Sequence, residues 1–76
     1  MKTNIISKNC AVIVMDTNKE RIYAYGYSEQ NFSNADIESY MQDYADEQEP
    51  DTWEVQSAEY WSEDDCWSAK LLCINI

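Results

Sequence analysis

Hydrophobic and polar positions divide the chain into a few stretches of different period. Cys10 to Met15 is an unbroken apolar, β-branched run, the pattern of a strand covered on both faces or set centrally in a sheet. A shorter run at Thr3 to Ile6 precedes it, as a strand start or a frayed arm. Asp16 to Glu20 is a polar connection with turn-forming Asp and Asn. Arg21 to Tyr27 then alternates, with Tyr23, Tyr25 and Tyr27 to one side and Ile22, Ala24 and Gly26 to the other. The two runs read as an antiparallel hairpin. Gly26, the one glycine, stands where a bulge or a close backbone approach is accommodated.

The period changes after Phe32. Ile37, Tyr40, Met41, Tyr44 and Ala45 recur at i, i+3, i+4, i+7 and i+8, an apolar stripe on one side of a helix. Ser33 is its N-cap, with Asp36 three residues on in a capping-box arrangement, and Phe32 with Ile37 has the spacing of a hydrophobic staple. Pro50 ends the helix at or before Glu49. The predicted helix covers 34–48. Thr52 to Trp61 returns to a period of two and reads as a strand. Ser62 to Asp65 is an acidic connection, and Trp67 to Ile76 closes the chain as a last strand. The expected fold is α+β: a single domain over 1–76 in the order ββαββ, an antiparallel sheet with one helix packed on one face. One helix leaves the second sheet face uncovered. Some of Tyr23, Tyr25, Tyr27, Tyr60, Trp61 and Trp67 are therefore expected to be exposed or at an interface, and a homodimer through them is a further expectation.

Charge changes the picture more than composition does. The 48 residues from Ile22 to Ala69 contain thirteen Asp and Glu and not one Lys, Arg or His. The whole chain carries −10, divided as +2 over residues 1–28 and −12 over residues 29–76. Such a balance repels nucleic acid and anionic membranes, so the expected partner is a basic protein surface. At 76 residues the domain buries only about 60% of its unfolded surface, which leaves little margin for internal repulsion.

At 100° per residue Asp36, Asp43 and Glu47 fall within about 20° of one line on the helix flank. Asp46 lies on the outer face, and Glu38 and Glu49 on the opposite flank. Asp43 and Glu47 are a like-charge i, i+4 pair, and Asp46, Glu47 and Glu49 sit where the macrodipole favours cations. Glu38 and Gln42 have no Lys partner on the helix. Broken local rules of this kind mark function. The candidate partner-binding residues are Asp36, Asp43, Asp46, Glu47 and Glu49, with Glu63, Asp64 and Asp65 as a second cluster. An ordinary solvated face mixes both signs.

Candidate chemistry is sparse. Glu63-Asp64-Asp65 offers oxygen ligands, but no EF-hand pattern and no Gly for a sharp loop accompany it, so no metal and no cofactor are expected. With no His, no Gly-rich phosphate loop and no Gly-x-Ser-x-Gly elbow, the chain is not expected to be an enzyme. Cys10, Cys66 and Cys73 are odd in number and lack CxxC spacing, which reads as reduced thiols in the cytoplasm, acting as small buried hydrophobes. No signal peptide and no apolar span of membrane length are found in the sequence.

Small, single-domain, strongly acidic, His-free chains without a catalytic motif form a known class, and this chain resembles it. The class comprises phage and mobile-element proteins that disarm bacterial defence, the anti-CRISPR proteins and the anti-restriction DNA mimics. The resemblance covers size, charge and the 29–65 stretch, and carries no individual residue over. It implies an inhibitor, acting in the host bacterial cytoplasm, whose carboxylates occupy the basic nucleic-acid groove of a nuclease or surveillance complex. Two other readings stand beside it: an acidic adaptor or inhibitor that binds a basic protein surface without DNA mimicry, and a small structural homodimer.

Overall fold

The structure, a computed structural model, describes residues 11–74. The expected arm at Thr3 to Ile6, the reading of Cys10 and the last two residues of the final strand lie outside them. The elements are β1 (Val12–Asp16), β2 (Arg21–Tyr25), α1 (Asn34–Gln48), β3 (Trp53–Val55), β4 (Glu59–Trp61) and β5 (Cys66–Cys73). One antiparallel sheet runs β1-β2-β5-β3, with β4 also paired to β5. The α+β class and the single helix on one sheet face are as expected. No helix among the described residues is long and apolar enough to cross a membrane.

β5 organises the sheet. One of its edges pairs with β2 from Cys66 to Lys70, and the other pairs with β4 and then β3 along its length. The single strand expected over Thr52 to Trp61 is thus two strands. Val55 lies opposite Leu71 and Glu59 opposite Ser68, so four steps along one strand match three along the other. That extra residue is the signature of a β-bulge, placed at Gln56 to Ala58.

Strand partners share a face, so the register assigns every side chain to one side of the sheet. Toward α1 point Ile13, Met15, Ile22, Ala24, Trp53, Val55, Tyr60, Trp67, Ala69, Leu71 and Cys73. From α1, Ile37, Met41 and Ala45 complete this core, each fully buried. Tyr44 is half-buried and Tyr40 is exposed, so the helical stripe is narrower than its five apolar positions imply. Trp67 is the largest buried side chain; its Nε1 donates to the Tyr27 carbonyl at 2.8 Å, and its ring meets Tyr60 edge-on at 5.4 Å.

Two expectations need correction. Among the described strands β1 ends the sheet order instead of lying centrally, and Val12 and Val14 are exposed on the side away from α1. An unbroken β-branched run satisfies strand propensity whether or not both faces are covered, so the run alone cannot establish burial. Tyr27 does not continue the outward row of Tyr23 and Tyr25. Gly26 adopts φ 88 directly after β2, a conformation glycine takes without steric cost, and turns the chain so that Tyr27 packs on Phe32 and Tyr40.

The turns share a design. Asp16 and Arg21 close one four-residue connection and Trp61 and Cys66 the other, and the last residue of each, Glu20 and Asp65, has positive φ. Asp51 also has positive φ, two residues after Glu49, and Thr52 N–H donates to the Glu49 carbonyl at 3.3 Å. With Pro50 at the second position, this follows the rules of a type II turn.

Candidate functional site

The helix acids are positioned by a helix that the sequence caps on its own. The Ser33 hydroxyl accepts from Asp36 N–H at 3.2 Å, and the Asp36 carboxylate accepts from Ser33 N–H at 3.1 Å. Both bonds satisfy backbone donors that a helix start leaves free. Beyond Asp36, the exposed acids Asp43, Asp46 and Glu47 stand on the side turned away from Ile37, Met41 and Ala45. The last turn contains no base. Asp36, Asp43 and Glu47 advance ~10 Å and then ~6 Å along the axis.

The flank of α1 facing the bulge behaves differently. Gln42 Nε2 donates to the Trp53 carbonyl and Gln42 Oε1 accepts from Val55 N–H, both at 2.9 Å. A single side-chain amide thereby takes the place of a neighbouring strand along β3. One turn earlier, Glu38 Oε2 accepts from Ala58 N–H at 3.1 Å, inside the bulge. Glu49 Oε1 accepts from Trp53 Nε1 at 3.3 Å, and Asp46 Oδ1 accepts from Gln42 Nε2 at 3.2 Å. Glu38 and Gln42 do not lack partners; their partners are backbone groups of the sheet edge, which they close against further pairing.

The eight sequence-selected acids therefore separate. Asp36 caps the helix, Glu49 holds Trp53, and Asp46 steadies Gln42 while remaining exposed. Asp43, Glu47, Glu63 and Asp64 are exposed and accept no hydrogen bond from other described residues, although the charge of Asp64 also acts on Cys66. Asp65 belongs to a different group. Its carboxylate accepts from the Tyr60 hydroxyl, which pushes the Tyr60 pKa up to about 12, with burial and the charges of Asp65 and Glu29 adding to the effect. These groups meet at a shallow cavity of about 390 Å³ lined by Gly26, Tyr27, Ser28, Glu29, Gln30, Tyr60 and Asp65. The structure brings Glu29 and Asp65 to the same cleft across 36 residues of sequence. Sequence spacing could not show this, because the sheet register makes the approach.

The bases lie elsewhere. Arg21 and Lys70 are directly opposite in the β2–β5 register, on the sheet face away from α1. Arg21 Nε donates to Ser68 Oγ at 3.0 Å, and its guanidinium lies 5.0 Å over the Trp61 ring. Cys66 is buried on this same side, and burial together with the charge of Asp64 pushes its thiol pKa up, so the reactive thiolate is disfavoured. Among the described residues no group of three or more His, Cys, Asp or Glu is placed to hold a metal ion. The arrangement offers a one-signed outer helix surface for recognition, with both bases of the sheet on the other side. Comparison with known proteins finds no matching family model, no matching curated protein and no matching solved structure.

Proposed function

We propose that the chain is an inhibitor that binds, through the outward side of α1, a basic protein groove that otherwise holds nucleic acid, and that its target is a bacterial nucleic-acid-binding defence complex. The observation that carries this reading is the exposed row of Asp36, Asp43, Asp46 and Glu47 on a helix without a single base. Its supports are physical. Duplex DNA presents one charge per ~1.7 Å of axis. Carboxylates ~6–10 Å apart along a helix follow the sign and direction of such a row at lower density. Each exposed pair formed with a partner Lys or Arg contributes ~0.2–1 kcal/mol, so recognition needs several acids acting together. Glu63 and Asp64 supply a second acidic point at the β4–β5 turn. Binding is fast and sensitive to salt, because the charges act at a distance.

The test is binding to purified CRISPR surveillance complexes and restriction nucleases, at low and at high NaCl, with duplex DNA as competitor. Inhibition that DNA relieves and salt weakens supports mimicry. Binding that DNA does not displace favours an acidic adaptor on a basic protein surface, and no binding to any such complex removes the proposal.

A further inference from the structure

The sheet face away from α1 forms a regular grid. Asp16, Arg21 and Lys70 make one row, Val14, Tyr23, Ser68 and Glu59 the next, and Val12, Tyr25, Cys66 and Trp61 the third; Leu72 and Glu54 extend it. Its centre is closed by its own side chains. Arg21 reaches across to Ser68 and Trp61, and Tyr23 meets Trp61 edge-on at 6.3 Å. Ser68 is 0% and Cys66 2% exposed although α1 lies on the other face. Around that centre Val12, Val14, Tyr25 and Leu72 remain 53%, 44%, 41% and 42% exposed.

We propose that this face pairs with the same face of a second copy, joining two chains back to back. Charge selects the occupant. The face carries Asp16, Glu54 and Glu59 against Arg21 and Lys70, a balance of −1 on a chain of −10. Two copies meeting through the outer side of α1 would set acid against acid. On the sheet face, two of the three bases among the described residues meet three acids of the other copy. A two-fold contact requires such self-complementarity, since each residue meets its counterpart's neighbours and not a different surface. The apolar positions around Tyr23 and Trp61 supply the burial.

Size sets the strength. Four strands spaced ~4.8 Å and an eight-residue β5 give a face of roughly 500 Å² in projection. That is below the ~800 Å² per partner of a standard interface, so the dimer belongs to the weak, concentration-dependent class. Packing two sheets back to back leaves the helices outermost, on opposite sides and about 30 Å apart. Each dimer then presents the acidic helix surface twice. The pairing itself depends only on the sheet and stands or falls independently of the helix's role.

The test is the mass of the wild-type protein by light scattering and sedimentation from micromolar to near-millimolar concentration, beside Val14→Asp and Leu72→Asp. Both substitutions fall on exposed positions, and circular dichroism checks that the fold is kept. The expected result is a wild-type mass that rises from one chain to two with concentration, while both variants stay at one. A wild-type protein that remains a monomer throughout would overturn the proposal. So would a dimer that both substitutions leave intact, since it would use another surface.

Discussion

Removing the amide of Gln42 tests how the helix and the broken sheet edge are joined. Gln42 forms two 2.9 Å bonds to partly buried backbone groups, as donor to the Trp53 carbonyl and acceptor from Val55 N–H. A net hydrogen bond is worth ~0.5–1.5 kcal/mol, and a buried group left without a partner costs ~1–3 kcal/mol. Gln42→Ala removes both bonds, along with the exposed 3.2 Å bond to Asp46 that adds little, at a site that water can partly reach, so the lower range applies, about 2 kcal/mol together. Ala is a better helix former by a few tenths of a kcal/mol, which offsets a little of the loss. For a domain of this size 1 kcal/mol corresponds to ~4–8 °C, so the melting temperature should fall by about 10 °C. Gln42→Glu sharpens the test. The carboxylate keeps the acceptor but cannot donate to the Trp53 carbonyl, and it stands between Glu38 and Asp46 at i−4 and i+4. Its deficit relative to wild type should exceed that of Ala at neutral pH and shrink on acidification, when the protonated acid can donate again. Thermal unfolding by circular dichroism reads the stability, and hydrogen exchange at the Val55 amide reads the bond itself. A Gln42→Ala protein melting within ~2 °C of wild type, with Val55 still protected, would refute the reasoning.

Two further outcomes are expected. Tyr60, held by Asp65, has its pKa raised to about 12, above the ordinary value of 10.0 that it regains on unfolding. The stabilisation linked to this proton is therefore complete below pH 10 and is lost as pH rises from 10 toward 12. In an alkaline titration followed by tyrosinate absorbance, Asp65→Asn should lower the pKa of the last tyrosine to ionise, and a late step unchanged in Asp65→Asn would contradict the pairing. Moderate NaCl should raise the melting temperature, because screening weakens repulsion among the thirteen acids between Ile22 and Ala69; a flat or falling melting temperature would show that they are too widely spaced to matter.

What the sequence makes legible follows from how local the cause is. The helix over 34–48 is readable because Ser33, Asp36 and Ile37 set its start and Pro50 its end, each acting on residues a few positions away, and the structure returns the same bounds. The break between β3 and β4 leaves no such trace. Gln56, Ser57 and Ala58 include neither Gly nor Pro, and the extra residue exists only relative to β5. The exposure of Val12 and Val14 is equally invisible, since it depends on which side of the sheet the helix takes. At the candidate site, the outward placement of Asp43, Asp46 and Glu47 follows from helical geometry alone. The structural use of Glu38, Gln42 and Glu49 does not, because their partners belong to residues 53–58. Glu29 and Asp65 likewise meet only through the fold.

The most direct test of the acidic helix surface is the double reversal Asp43→Lys with Glu47→Lys. Neither residue accepts a hydrogen bond from other described residues, so the change removes charge without cutting an internal contact. The two lysines still form a like-charge i, i+4 pair, but the double reversal takes the net charge from −10 to about −6, sets a cation at 43 three residues from Asp46 and puts a cation at 47 near the helix C-terminus, together contributing on the order of 1 kcal/mol. The account predicts a melting temperature higher by about 4–8 °C and, in the same protein, loss of binding to the proposed target complex. Stability and binding should move in opposite directions, as expected of a surface kept for recognition at the expense of stability. A double mutant that binds and inhibits at wild-type strength would contradict the account and remove the helix as the recognition surface.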